Sequence, residues 1–485
     1  MRFNYPLILH TLGTLVVFIG LLMLLCVPVA INYWEEDWLA LIISSMAAVI
    51  PGLIMRYSTR NNSNKELKKR DGYLIVTLAW VFMSAFGALP YVLSGAIPSY
   101  TDAFFETISG FTTTGASILN DIEGMPHGLL FWRSLTQWVG GMGIIVLAVA
   151  ILPILGIGGM QLFVAEAPGI SPDKLQPRIR ETAKRLWFLY LGLTIIETGL
   201  LMIGGMDLFD ATNHALTTMA TGGFSTYQAS MAEQSAYIQY VVIVFMFLAG
   251  TSFSLIYYSV KLQFRKVWAF EEFRYYMGFT VLFTLIVTLG IFFSTEETDV
   301  EKAFRDALFQ VVSIITTTGF ATADYTSWTP FITVLFFILM FIGGSAGSTA
   351  GGVKVVRYVV LIKNSVLELK RQLHPSAVIP VRLNDKAVPR DITFNILAFI
   401  MIYIFIFATG SLTLAASGVD FTTAIGAVAT SLGNIGPGLG QVGPVDNFAN
   451  VPTSGKWILS FLMLLGRLEL FTVLILFTPY FWRRQ

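Results

Sequence analysis

The stretch DAFFETISGFTTTGA, residues 102–116, decides how the chain is read. It starts on Asp102, runs apolar for about two and a half turns, and ends in Thr112–Thr113–Thr114–Gly115. A helix needs roughly 20 residues to cross the hydrocarbon of a bilayer, and this segment falls well short. Three further stretches repeat the pattern: DATNHALTTMATGGF at 210–224, DALFQVVSIITTTGF at 306–320 and DFTTAIGAVATSLGN at 420–434. Each aspartate precedes a glycine by 13 residues, giving the pairs Asp102/Gly115, Asp210/Gly223, Asp306/Gly319 and Asp420/Gly433. Successive aspartates lie 108, 96 and 114 residues apart, a spacing that suits internal duplication with loop insertions.

What surrounds these segments is membrane-like. Of 485 residues, 55% are hydrophobic and only 13% charged, and mean hydropathy is +0.69. Apolar runs suggest ten crossings, at about 7–30, 38–56, 73–95, 128–153, 184–205, 237–260, 276–294, 331–356, 392–415 and 456–481. The first is too long for a signal-peptide core and is followed by a second span, so it reads as retained. The net charge of +1 says nothing about a nucleic-acid partner, because the charges are segregated into loops, and none is expected; Cys26, the sole cysteine, excludes an intrachain disulfide.

Alternate loops carry the basic residues: Arg56, Arg60, Lys65, Lys68, Lys69 and Arg70; then Lys174, Arg178, Arg180, Lys184 and Arg185; then Lys261, Arg265, Lys266 and Arg274. The loop 354–390 and Arg483–Arg484 continue the series, whereas 34–37 is acidic. The positive-inside rule then places both termini in the cytoplasm and the four Asp-to-Gly segments outside. The expected fold is an all-α membrane protein with four span–short helix–loop–span repeats around one central pore, preceded by two extra N-terminal helices. The boundaries follow as 1–71 for that pair, then 72–160, 161–262, 263–375 and 376–485 for the repeats.

A half-span with a polar end is tolerated only where it lines a cavity or is buried in protein. Asp102, Asp210, Asp306 and Asp420 stand where helix N-caps are expected. The helices would then point their carbonyl ends inward, an arrangement that favours a cation. The polar turns align as Thr112–Thr113–Thr114–Gly115, Ala220–Thr221–Gly222–Gly223, Thr316–Thr317–Thr318–Gly319 and Thr430–Ser431–Leu432–Gly433, with Asn434 next. Glycine lets carbonyl oxygens turn toward an axis, and a ring of them can replace the hydration shell of K⁺. Small residues also serve close helix packing in membranes, but four copies in register favour the ring.

These turns, with GGSAGSTAGGVK at 343–354, RQLHPSAVIPV at 371–381 and GRLELFT at 466–472, resemble the Trk/Ktr/HKT superfamily of potassium transporters over essentially the whole chain. The two N-terminal spans are like those of its longer members. The resemblance implies a K⁺ selectivity filter at the four turns, with Gly115 favouring K⁺ over Na⁺ and Leu432 and Asn434 breaking strict symmetry. It implies that Gly343, Gly344, Ser345, Ala346, Gly347, Ser348, Thr349, Ala350, Gly351 and Gly352 form an intramembrane loop that obstructs the pore and moves in gating. The residues themselves allow that flexible segment or a tight packing patch; a nucleotide P-loop is excluded, because Val353 rather than glycine precedes Lys354.

Charge inside a span is expensive and needs partners. Arg467 and Glu469 therefore read either as an interhelical salt bridge or, as the resemblance implies for Arg467, as a positive constriction beneath the filter. Glu106 reads as a brace for its short helix, and His214 as packed or hydrogen-bonded. No nucleophile–base pair, paired catalytic carboxylates or metal motif appears, so no enzymatic role is expected. The loop 354–390 either anchors topology or contributes to docking. The resemblance implies K⁺ as transported ligand, no cofactor on this chain, and a homodimer in the bacterial inner membrane. It also implies a TrkA-like cytosolic regulatory subunit carrying the nucleotide, NAD or ATP/ADP. The competing reading is a K⁺ symporter coupled to H⁺ or Na⁺.

Overall fold

The computed structural model describes residues 3–60, 69–143, 179–294, 299–374 and 379–483. The second half of the expected span 128–153 lies outside the described residues, as do Lys65, Lys68, Lys174, Arg178, 375–378 and Arg484. The fold is all-α, with one two-stranded hairpin among the described residues, Arg382–Leu383 paired antiparallel to Lys386–Ala387.

Two helices, α1 (Tyr5–Met23) and α2 (Asp37–Ser58), form an N-terminal hairpin whose backbones meet at glycine. A Cβ on Gly13 would lie 2.6 Å from the Gly52 carbonyl oxygen, and one on Gly52 2.8 Å from that of Gly13. Lipid tails are as apolar as leucine, so such close approach, rather than burial from water, holds membrane helices together. Helix α3 (Lys69–Gly87) then leads to the first short helix, α4 (Tyr100–Phe111).

The same order recurs along the chain. A long helix precedes each later short helix: α6 (Ile179–Ile203) before α7 (Leu208–Met219), α10 (Glu271–Ser294) before α11 (Val300–Ile315), and α14 (Arg390–Ala416) before α15 (Phe421–Gly433). Among the described residues, six helices are long and apolar enough to cross a membrane unbroken: Tyr5–Asn32, Asp37–Ser58, Arg70–Leu93, Lys184–Ile203, Glu271–Phe293 and Arg390–Ala416.

Three of the helices after the short ones depart from the expected continuous spans, and the one after the third short helix breaks around 343–352, the segment whose residues allow a loop. Helix α5 (His127–Trp138) passes into a π-helical turn at Val139–Gly143. Helices α8 (Ala236–Ala249) and α9 (Phe253–Val260) meet at a 111° bend. Helix α12 (Pro330–Leu339) stops fifteen residues short of α13 (Val355–Leu373). Helix α16 (Thr453–Arg467) turns through 111° into α17 (Phe471–Leu474) and the residues beyond it. Glycines at 140, 250, 343 and 466 stand at or beside these breaks, where helix propensity is lowest. Hydropathy averages over them, because an apolar run lies on both sides of each break.

Candidate functional site

The expected caps need correction first. The residues that leave the helical region and accept the first free N–H are Ser99 for α4, Asp207 for α7 and Asp299 for α11. Asp102 and Asp210 sit three residues further in, and Asp306 seven. Only Asp420 caps as expected, accepting from the Thr423 N–H at 3.0 Å. The inner aspartates have other work. Asp102 pairs with Lys456 of α16 at 2.6 Å, and Asp210 accepts from Thr226 and Tyr227 hydroxyls, each at 2.6 Å.

The fourth turn is also displaced. In the first three, one residue adopts positive φ, Thr113 (52°), Thr221 (52°) and Thr317 (56°), followed two residues later by a positive-φ glycine, Gly115, Gly223 or Gly319. In the fourth, those positions are Asn434 (53°) and Gly436 (103°). Gly433 still belongs to α15, and Thr430, Ser431 and Leu432 lie within that helix. The hydrogen bonds agree. The N–H groups of Thr114, Gly222, Thr318 and Ile435 each reach back five residues, to Ser109, Thr217, Ser313 and Thr430. Cap and turn have moved together by three residues, so the 13-residue spacing survives in the fourth copy by coincidence. From cap to turn glycine the distance is 16 residues for Ser99/Gly115, Asp207/Gly223 and Asp420/Gly436.

These four glycines close a ring. A Cβ on Gly115 would meet the Gly222 carbonyl oxygen at 2.1 Å; on Gly223, that of Thr318 at 1.9 Å; on Gly319, that of Ile435 at 1.9 Å; on Gly436, that of Thr114 at 2.9 Å. Each glycine thus makes room for the carbonyl preceding the glycine of the next copy, and the fourth returns to the first. Gly115, Gly223, Gly319 and Gly436 all line one pocket open to the outside, whose walls include Ser117, Arg133, Ser225 and Asp446.

The first three turns are braced in two ways. In the first and third, paired threonine hydroxyls (Thr112 with Thr114, Thr316 with Thr318) lie 2.8 Å apart. The second has Ala220 and Gly222 there, and α5 supplies the missing group: Gln137 donates to the Gly222 carbonyl at 2.6 Å and accepts from the Phe224 N–H at 3.1 Å. Behind the first, the Glu106 carboxylate accepts from Arg133 (2.7 Å), the Ser117 hydroxyl (3.0 Å) and the Ile118 N–H (2.9 Å). The Arg133 guanidinium lies 3.6 Å from the Phe224 ring centroid. His214 bonds to the Asp210 carbonyl and the Ser225 hydroxyl, at 2.8 and 2.9 Å.

The 343–352 segment is a non-helical loop packed under the turns. Its Gly351 N–H donates to the Thr317 hydroxyl at 2.6 Å, and a Cβ on Gly351 would meet the Gly433 carbonyl at 2.7 Å. It takes up carbonyls freed where α8 and α7 end: the Ser345 N–H reaches Gly250 at 2.9 Å, and the Thr349 hydroxyl reaches Ala249 at 3.1 Å and Met219 at 3.0 Å. Arg467, at the end of α16, donates to the carbonyls of Thr349 (2.8 Å), Gly140 (2.5 Å) and Gly141 (2.6 Å). Glu469 pairs with Arg357 of α13, so the two charges of the motif serve different partners. Irregular backbone at membrane depth is tolerated when it is buried in protein in this way.

Residues 40–484 match the TrkH family, described as a cation transport protein. The chain belongs to that family. It is 42% identical to the Trk system potassium uptake protein TrkH of Escherichia coli K12, over 99% of this chain and all of the relative. It is 34% identical to TrkG of the same organism, over 98% of each. The crystal structure of the potassium transporter TrkH from Vibrio parahaemolyticus matches with a TM-score of 0.88 at 39% identity, over 99% of this chain and all of that one.

Gly436, Ile435 and Gln137 are site residues that sequence reasoning missed. The Gly436–Pro437 pair was the available signal, because Gly-Pro marks a turn more strongly than Gly433–Asn434. Nothing in the sequence pointed to Gln137, since its role depends on hydroxyls absent from another helix.

Proposed function

We propose that the chain carries K⁺ into the cell across the bacterial inner membrane, through the passage framed by Gly115, Gly223, Gly319 and Gly436. The cyclic register of the four turns is the observation that carries this reading. Backbone oxygens held around one axis, with no side chain between them, substitute for the water of a weakly hydrated cation. The uptake of potassium in the names of the relatives agrees with it. In this reading the 343–352 loop is the barrier below the ring, and Arg467 holds it while placing positive charge on the path. Basic loops put both termini in the cytoplasm, where a TrkA-like regulatory subunit carrying nucleotide would act on the loop, and the working unit would be a homodimer.

The test is ion flux into liposomes holding only the purified chain, with K⁺, H⁺ and Na⁺ followed together while the membrane potential is stepped. Reversal at the K⁺ equilibrium potential supports a passive pore. A reversal displaced by H⁺ or Na⁺ gradients, with those ions moving in fixed ratio, would replace it with coupled transport.

A further inference from the structure

Two adjacent carboxylates at the start of α10 join the 343–352 loop to the small hairpin. Glu272 accepts from the Ala346 N–H, within the loop, at 2.7 Å. One side chain therefore grips the loop that leads into α13. Those two pieces also close on each other: the Gly343 N–H donates to the Val353 carbonyl at 2.9 Å, and the Val355 N–H to that of Gly344 at 3.1 Å. Lys354, which donates to the Ala350 carbonyl, lies within the field of Glu272.

Glu271 faces the other way. Its backbone N–H donates to the Asn384 amide oxygen at 2.8 Å, and its carboxylate pairs with Lys363 of α13. Lys363 also donates to the Arg382 carbonyl at 2.9 Å. Asn384 and Asp385 form the tight turn of the hairpin, both with positive φ, so Asn384 is presented by a rigid element.

We infer that Glu272 is the positioning residue that holds the 343–352 loop across the passage, and that the hairpin Arg382–Ala387 is the handle through which a displacement outside the membrane reaches it. The inference rests on the loop being the barrier. The route is short: hairpin turn, Glu271, Glu272, Ala346. At 2.7 Å the bond to the Ala346 N–H is short, so this is a hold with one removable end. A pull on the hairpin shifts the start of α10 and takes the carboxylate away from the loop.

The test combines labelling with flux. Cys26, the only cysteine, is buried, so Ser348→Cys reports the loop alone when a membrane-impermeant thiol reagent is applied to the reconstituted full chain. Glu272→Gln keeps the shape and weakens the bond to the Ala346 N–H; Glu272→Ala removes it. Both are expected to label faster than the parent and to raise resting K⁺ flux. The increase should be roughly tenfold for alanine, equivalent to about 1.4 kcal/mol, and smaller for glutamine. The K⁺/Na⁺ ratio should stay put, because the ring is untouched, whereas general misfolding would degrade it. In a chain lacking residues 345–350, Glu272→Ala should add nothing. Asn384→Ala should move labelling in the same direction by a lesser factor.

If the deletion raises flux while both Glu272 variants label and conduct like the parent, Glu272 does not hold the loop. If Asn384→Ala alone is silent, the hairpin is not the handle. If the deletion leaves flux unchanged, the loop is not the barrier and the proposed gate fails; the labelling rates then still decide whether Glu272 positions it.

Discussion

The Asn434 amide donates to the Thr114 hydroxyl and to the Met463 carbonyl, both at 2.9 Å, and so ties the fourth turn to the first and to α16. Asparagine suits the place twice. It tolerates the left-handed backbone, at φ 53°, and its amide has two donors to give. The other copies put threonine at this position, a β-branched residue that adopts the conformation only under constraint. Asn434→Ala leaves the ring carbonyls in place but unties two neighbours. We expect a stability loss of about 1–3 kcal/mol by thermal unfolding in detergent, with a few-fold fall in K⁺/Na⁺ discrimination. Unchanged discrimination in a folded variant would show that the tie does not reach the ring.

Gly436 rather than Gly433 is the fourth ring position, and substitution should tell them apart. Alanine at 436 must adopt φ near 103° and press on the Thr114 carbonyl, a strain of about 1–3 kcal/mol. Serine at 115 meets the Gly222 carbonyl more severely, at 2.1 Å. Both variants should lose K⁺ over Na⁺ selectivity in liposome flux, Gly115→Ser more than Gly436→Ala. Alanine at 433 is also crowded, 3.0 Å from the Met340 carbonyl, but its backbone is helical and it lies outside the ring. It should affect expression before selectivity. Selectivity that falls with Gly433→Ala and not with Gly436→Ala restores the 13-residue register.

How this register was hidden says what sequence can and cannot carry. The four short segments, their order and their flanking long helices are written in local composition, and hydropathy with Thr/Gly clustering finds them. Three details depend on backbone geometry instead. Asp102 and Asp210 look like caps because acidic residues favour the first turn as a whole, yet Ser99 and Asp207 have the extended ψ that a cap needs. The fourth turn starts one helical turn late relative to Asp420, and Gly433, which happens to fall 13 residues after it, conceals the shift. The breaks at Trp138–Val139, Gly250 and Leu468 pass unseen because each is short and lies between apolar runs, even where Arg467 and Glu469 flank it. Loop 343–352 was legible only because ten residues of Gly, Ser, Ala and Thr cannot sustain a helix.

The pair of Glu106 and Arg133 is almost fully buried, 1% and 2% exposed, and each satisfies further partners near the first two turns. Removing one member strands a charge, whereas removing both does not. Arg133→Leu is therefore expected to cost about 3–5 kcal/mol, and Glu106→Gln with Arg133→Leu distinctly less than the sum of the single changes. Thermal unfolding of the three variants in one detergent gives the coupling directly. Additive losses would mean that the two side chains act separately.

Arg467 is the last case, because its geometry separates two readings that charge alone leaves joined. The guanidinium reaches three carbonyls, of Thr349, Gly140 and Gly141, which belong to two different breaks. Its planar fork can serve several acceptors at once; a lysine ammonium keeps the charge but is a single point on a flexible stem. If Arg467 only raised an electrostatic barrier, Arg467→Lys would conduct like the parent and Arg467→Ala would conduct more. If it clasps the loop, both should raise resting flux, alanine more than lysine, and both should speed thiol labelling at Ser348→Cys. The carbonyl contacts favour the clasp, with an expected rise on the order of tenfold for alanine, equivalent to about 1.4 kcal/mol. Parental flux and labelling in both variants would remove Arg467 from the barrier altogether.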